Sequence, residues 1–330
     1  MKTALLGCLL SGAVTLTTFA QSAAPAACDR ACLDRFVDRY VDAMQAHSAS
    51  PDLFARDAKF TENGIRLPLG NEGLWFKMSG KGSYKFYVPD VETQQVAFIG
   101  TLREGGTNAT DGTLVGFALR LKIVRNLITE AEQLVIRPET PLGGAAASAT
   151  PPRFPPTGEA VEKMGAPNAI FTQVIPAAQR PSREEMIKTA NYYFAGLQRN
   201  DGKGYYPFTN DCERFENGMQ TTNIPQRDPA TGQTVTRGCK KQFEESLKGI
   251  VSRIRDRRFV AVDRERGIVF SFAFFDHENI NWTWQLAELF KVENGQIRRI
   301  EAVFHRAPYG INSGWSTYEQ GLSEEPQIVR

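Results

Sequence analysis

Phe208–Gly218 reads FTNDCERFENG, and 154 residues earlier Phe54–Gly64 reads FARDAKFTENG. Phe54/Phe208, Asp57/Asp211, Glu62/Glu216, Asn63/Asn217 and Gly64/Gly218 coincide, so five of eleven positions match without a gap. That density argues for one small unit used twice. Further along, Leu119–Arg137 aligns with Glu288–Arg306, pairing Glu132 with Glu301 and Arg137 with Arg306. The length of 330 residues agrees, since roughly 100–200 residues per domain suggests two domains.

Working outward from the repeats, the helices come first. Before the first copy, Cys28–His47 places Leu33, Phe36, Val37, Tyr40, Val41 and Met44 three and four apart, an amphipathic helix. Before the second copy, Ser182 with Glu185 forms a capping box, and Met186, Ala190, Tyr193, Phe194 and Leu197 make the buried stripe. Cys239–Ile254 is expected to be another helix, with the basic run Arg253, Arg255, Arg257 and Arg258 as its solvated end. Trp75–Tyr87 is mixed and Gly-rich. Strand composition marks Val96–Leu102, Leu114–Val124 and Ile128–Ile136 in the first half. Gly267–Phe275, Trp282–Val292 and Ile297–Phe304 mark the second, the last two joined by Glu293-Asn294-Gly295. Pro138–Pro156 is a Pro/Gly/Ala-rich linker, and Gly158–Ala178 is expected to be irregular. The domains are therefore expected at 25–137 and 181–330, with 138–180 between them.

Met1-Lys2-Thr3, the apolar run Ala4–Val14 and small residues up to Ala24 read as a secretory signal peptide, cut after Ala20 or Ala24. The run is too short to span a bilayer, so no stable membrane insertion is expected. Leu6-Gly7-Cys8 superficially suggests a lipidated cysteine, but too few residues precede it. Export to a periplasmic or extracellular compartment makes disulfides the default for Cys28, Cys32, Cys212 and Cys239. Of three connectivities, Cys28–Cys32 with Cys212–Cys239 is favoured over the others. Zinc fits these spacings poorly, and no metal is expected. A net charge of +2 gives no reason to expect nucleic acid. The G-x-S-x-G elbow, the P-loop, the dinucleotide fingerprint and H-E-x-x-H are all missing, so no cofactor is expected.

A long helix, the D-x-x-x-x-E-N-G segment, a helix or irregular segment and three long antiparallel strands follow one another in each half. That order resembles the nuclear transport factor 2-like superfamily, and more narrowly a tandem SnoaL-like protein. The resemblance implies an α+β fold of two cone-shaped domains, each a curved antiparallel sheet packed on helices around an apolar pocket. It also implies cofactor-independent proton chemistry of the dehydratase, isomerase, epoxide hydrolase or cyclase kind, or binding alone.

Candidate residues are weighed against plain structural roles. His277, at a strand end beside Asp276 and Glu278, reads as a general base oriented by Asp276 or Asp211, or as a solvated turn. His305 stands where the first half has Ile136, a polar group gained at an apolar position. His47 reads as a helix C-terminal residue. Asp211 would be a base raised in pKa by apolar walls, or a turn residue like Asp57; Asn217 and Gly218 permit positive φ. Arg306 or Tyr193 would stabilise an oxyanion. Trp282, Trp284, Tyr192 and Phe274, with Asn217, would bind an aromatic ligand or simply pack. The tail Ala307–Trp315 is expected over the second pocket's mouth or at the domain junction. The leading expectation is an exported lyase or isomerase acting on a small apolar or aromatic molecule from the second half. The alternative is a non-catalytic binding or scaffolding protein, and a homodimer is compatible with either.

Overall fold

The computed structural model describes residues 27–138, 155–199, 201–228, 231–245, 249 and 251–329. The expected leader at 1–24 and positions 139–154 of the expected linker lie outside them. Helix α1 (Arg30–Gln45) opens the first half, and every apolar residue of its stripe is buried. Strands β1 (Phe54–Glu62) and β2 (Ile65–Arg66) follow, then the short helix α2 (Leu74–Lys77). Strands β3 (Met78–Asp90), β4 (Gln95–Glu104), β5 (Thr113–Val124) and β6 (Leu127–Ile136) complete a sheet of order β2-β1-β6-β5-β4-β3. The sheet is mixed where an antiparallel one was expected, because β1 enters beside β6 and runs parallel to it.

The second half opens with α3 (Thr157–Lys163) and α4 (Arg183–Arg199), the latter capped by Ser182 and Glu185 as the sequence implied. Strands β7 (Phe208–Glu216) and β8 (Met219–Gln220) come next, then a small hairpin of β9 (Pro225–Arg227) and β10 (Thr234–Thr236) and helix α5 (Cys239–Glu245). Long strands β11 (Arg253–Asp263), β12 (Ile268–His277), β13 (Trp282–Glu293) and β14 (Gln296–Pro308) follow, then α6 (Tyr318–Leu322) and β15 (Gln327–Ile328). The order is β15-β11-β12-β13-β14-β7-β8, again mixed, with β7 parallel to β14.

The pairing registers repeat. Phe54↔Ile128, Lys59↔Glu130, Phe60↔Ala131, Thr61↔Glu132 and Glu62↔Gln133 in the first half match Phe208↔Ile297, Glu213↔Arg299, Arg214↔Ile300, Phe215↔Glu301 and Glu216↔Ala302 in the second. The repeated E-N-G is the turn between a nine-residue strand and its two-residue partner. Its asparagine is the working residue. Asn63 donates to the Val135 carbonyl (3.1 Å) and accepts from the Val135 N–H (2.7 Å), while Asn217 does the same to Phe304 (3.1 and 2.8 Å). Both asparagines have φ 50° and both glycines φ 80°, the left-handed region that Asn and Gly tolerate.

Three apolar cores result. One lies between α1 and the first sheet, one between α4 and the second. The third joins the remaining faces of the two sheets: Tyr84, Phe86 and Ile99 meet Phe270, Phe272 and Leu289. Charged groups cross this junction in pairs. Arg258 grips Glu132 with two bonds (2.8 and 2.7 Å), Arg183 meets Asp90 at 2.6 Å, and Arg30 holds Asp263 at 2.6 and 2.7 Å.

Two expectations are corrected here. Of the stretch Cys239–Ile254 expected to be one helix, Cys239–Glu245 is helical, and the basic run lies in strand β11. Arg255, Arg257 and Arg258 are buried, their guanidinium groups bonded to Asp276, the Ile254 carbonyl and Glu132. The stretch from Gly158 is a helix against β5, so close that a Cβ on Gly158 would stand 2.3 Å from the Leu114 carbonyl oxygen. Cys28 pairs with Cys32 (Cα–Cα 5.2 Å) and Cys212 with Cys239 (5.7 Å), as expected.

Candidate functional site

In the second half, α4 and α5 close over the inner face of the sheet and leave a cavity of about 30 Å³. By volume it holds about two water molecules. Leu197, Phe275, Trp284, Leu286 and Phe304 make apolar walls, and Tyr193, Arg214, Glu216 and Glu288 gather at one end. Strand alternation explains the gathering: Arg214 and Glu216 are two apart on β7, so both face inward. Tyr193 comes from the buried stripe of α4 and Glu288 from the middle of β13.

Arg214 ties the group together. It donates to Gln242 Oε1 (2.7 Å), to the Tyr193 hydroxyl (3.1 Å) and to Glu216. Burial alone would loosen its proton, but Tyr193, Glu216 and Glu288 outweigh that and raise its pKa. Glu288 is 1 % exposed, and its Oε2 has no hydrogen-bond partner. Burial pushes its carboxyl up to about 8; Arg214 and a Tyr193 hydrogen bond oppose this, and the Glu216 charge adds to it. Glu288 is therefore a neutral acid at pH 7, with one oxygen left over in a cavity that admits water.

The sequence-derived candidates divide by the face they occupy. Tyr193 and Trp284 line the cavity. His277, Trp282 and Arg306 stand at the same end of the same sheet face. His277 packs on Trp284 at 4.3 Å between ring centroids, and the Arg306 guanidinium lies 3.4 Å over Trp282. Asp276 points to the opposite face from His277 and does not orient it. It binds Arg255 (2.8 Å), Arg253 (2.7 Å) and the Thr283 hydroxyl (2.8 Å); burial would raise its pKa, but these contacts together lower it.

His305 also faces away, into the junction between the halves. Turned so that both ends of its amide are satisfied, Gln285 donates to His305 Nε2 (3.1 Å) and the Asn63 carbonyl (3.3 Å), and accepts from the Gly64 N–H (3.2 Å). Burial and the nearby Arg137 charge push His305 down to about 4, so it stays neutral at pH 7. Asp211 is exposed and its pKa is lowered, first by the Thr209 hydroxyl, where apolar walls were expected to raise it. Phe274 lies under Arg255 in the junction layer, Tyr192 packs outward on Tyr205, and Asn217 clips β14. The tail takes the junction: Trp315 donates to the Thr61 hydroxyl at 2.8 Å.

Sequence reasoning missed Arg214, Glu216 as a site group, and Glu288. A signal was present. By the repeat offsets Arg214 stands where the first half has Phe60, and Glu288 where it has Leu119.

The first half fills the corresponding space. Trp75 from α2 is fully buried, edge to face with Tyr40 and Phe54, and donates to the Tyr40 hydroxyl at 3.0 Å. Tyr40 donates to Gln133 (2.8 Å), Gln133 to Glu62 (2.8 Å), and Arg137 to Glu62 (2.8 Å).

The molecule is thus an α+β protein of two mixed sheets, one face of the second sheet carrying a buried acid–arginine cluster beside a small cavity. Residues 179–304 match a family model described as "Domain of unknown function (DUF8021)", a segment that takes in α4 and all four cluster residues. No curated protein matches the chain. Among solved structures it is similar to a de novo designed protein with a curved β-sheet, at 18% identity over 38% of this chain and 88% of that one, TM-score 0.25. It is similar to a Mycobacterium tuberculosis LEH-like epoxide hydrolase at 12% identity, over 38% of this chain and 86% of that one, TM-score 0.26. An NTF-2-like protein of unknown function from Burkholderia xenovorans LB400 shares 11% identity over 41% of this chain and 94% of that one, TM-score 0.26. Among the described residues no helix is long and apolar enough to cross a membrane, and no group of three His, Cys, Asp or Glu stands ready for a metal.

Proposed function

We propose that the chain is an exported tandem of two cone-shaped, nuclear transport factor 2-like units. In this reading only the second does chemistry, as a cofactor-independent lyase or isomerase of a small, mostly apolar or aromatic molecule. The observation that carries this is Glu288, a buried carboxylic acid with an unmatched oxygen in a cavity that also holds a second carboxylate. In a dehydration, Glu216 takes a proton from the carbon beside a carbonyl while Glu288 gives its proton to the departing hydroxyl, which leaves as water. The electron pair of the broken C–H bond becomes the new C=C bond. Return of a proton from Glu216 to Glu288 restores the site. Arg214 and Tyr193 steady the charge that passes between the carboxyls.

The test is turnover of a panel of small β-hydroxy carbonyl compounds and their isomers by the intact protein. Glu288→Gln should lower kcat by about 10²–10⁴-fold with folding intact. The wild-type rate should fall above about pH 8, where the acid is lost. Replacing His305, on the other face, should leave turnover in place. Full activity in Glu288→Gln ends the proposal.

A second reading rests on the cavity's smallness: a protein that holds a ligand without changing it. Ligand binding by wild type and Glu288→Gln alike, with no product from either, would select it.

A further inference from the structure

The outer side of α4 differs from that of α1 as much as the inner side does. Arg30 and Arg183 open the two helices, and the same step of 153 residues carries Tyr40 to Tyr193, Arg39 to Tyr192 and Asp52 to Tyr205. In the first half Arg39 binds Asp52 at 3.2 Å, both side chains exposed, and its guanidinium lies 5.5 Å over the Phe36 ring. In the second half the corresponding pair is Tyr192 and Tyr205, edge to face at 4.9 Å, and Thr189 stands where the first half has Phe36. Beside them an open groove of about 650 Å³ separates α4 from the β13–β14 turn, lined by Met186, Thr189, Tyr192, Tyr205, Val292 and Gly295. That volume lies within the roughly 300–1,000 Å³ of small-molecule sites.

Tyr205 is 66 % exposed, yet its backbone is fixed. Tyr206 beside it is buried against Phe243 at 5.3 Å, its hydroxyl accepts the Gly204 N–H at 3.0 Å, and the Pro207 carbonyl accepts the Ile297 N–H at 2.7 Å. Gly196 and Gly204 make room for the Tyr206 ring, since a Cβ on either would stand 2.8 Å from it. An aromatic ring held out in this way binds with little further loss of freedom. The groove is separate from the cavity beside Glu288, because Tyr192 and Tyr193 are successive residues of α4 and point about 100° apart. Glu185 and Lys188 give it one charge of each sign, so no net charge selects an ion. It is also open to water, where a wholly apolar ligand gains little. A sugar ring matches such a surface, with a C–H face to lay on a tyrosine and hydroxyl edges for Lys188, the tyrosine hydroxyls and solvent.

We propose that Tyr192 and Tyr205 form a carbohydrate-binding platform for a neutral oligosaccharide of equatorially substituted hexoses, one ring lying on Tyr205. Binding here is independent of the acid–base reading, since no residue of the Glu288 cluster lines the groove.

The experiment is calorimetric titration of the whole protein with cellohexaose and with the hexamer of β-1,4-linked N-acetylglucosamine, against a hexagalacturonate as the charged counterpart. At least one neutral hexamer should bind, and more tightly than the galacturonate. Tyr205→Ala should weaken that binding about ten-fold with an unchanged unfolding midpoint. Tyr205→Phe should bind as wild type, because the ring face makes the contact. Tyr192→Arg with Tyr205→Asp, which installs the first half's ion pair, should abolish binding. Glu288→Gln should bind as wild type, so failure of the acid–base reading is distinguishable from failure of the platform. Binding of neither neutral hexamer, undiminished binding by Tyr205→Ala, or tighter binding of the galacturonate would overturn the proposal.

Discussion

The two halves place the same strands in the same register and fill them in opposite ways. In the first, Trp75 occupies the inner space, and the polar groups around it, Tyr40, Gln133, Glu62 and Arg137, bond to one another. In the second, Arg214 and Glu288 stand at the positions that Phe60 and Leu119 hold in the first, and space remains beside them. Buried charge is costly wherever it serves only packing. One half shows what this fold needs to be stable, and the other shows what it tolerates beyond that.

The comparison can be broken most severely by emptying the plug. Trp75→Ala removes the largest fully buried side chain and the donor to Tyr40, and should lower stability by about 3–5 kcal/mol in a denaturant melt without touching ligand binding in the second half. Of similar size, Arg214→Phe alone strands Glu216 and Glu288 and should cost roughly 3–5 kcal/mol. The double change Arg214→Phe with Glu288→Leu copies the first half and should recover most of that loss, while turnover disappears. A double variant as unstable as the single one would mean that the cluster is structural.

A smaller effect concerns pH. The Glu288 carboxyl is raised in the folded state from an ordinary 4.5 to about 8, so the folded protein holds a proton that the unfolded chain has lost in that window. Its stabilising contribution is complete below about pH 4.5 and gone above about pH 8. Relative to Glu288→Gln, wild type should lose on the order of a few kcal/mol between these limits, read from urea midpoints at pH 5, 7 and 9. The smallest effect belongs to the repeated aspartate. Asp211→Asn, exposed and paired only with surface groups, should shift stability by about 0.5 kcal/mol or less. A larger change there would assign the repeated aspartate a role the geometry does not show.

Much of the architecture was legible because it rests on short-range rules. The 3–4 spacing of α1, the Ser182/Glu185 box before α4, the cysteine pairs and the six strands of the two meanders all follow from local pattern. Strand β11 was obscured because its arginines are matched by Asp276, Glu132 and other distant groups that no local window contains. β1 and β7 were hidden because their buried and exposed residues do not alternate along the strand, so the two-residue period is missing from the sequence. Attention to histidines drew the eye away from the buried acid–arginine cluster. His305 was singled out as polar where its counterpart Ile136 is apolar, and the same test applied along the whole alignment picks out Glu288 over Leu119 and Arg214 over Phe60.

The layer where the two sheets meet has a consequence for how such a molecule can change. When two identical chains pack sheet to sheet, any substitution appears on both sides at once, and a charge that is useful in one copy burdens the other. Here both sheets belong to one chain, held together by Arg258–Glu132, Arg183–Asp90 and Arg30–Asp263. Each side can therefore drift alone. One half is free to become a rigid partner that shields its neighbour's outer face, and the other can carry an unstable arrangement of acids without weakening a second copy of itself.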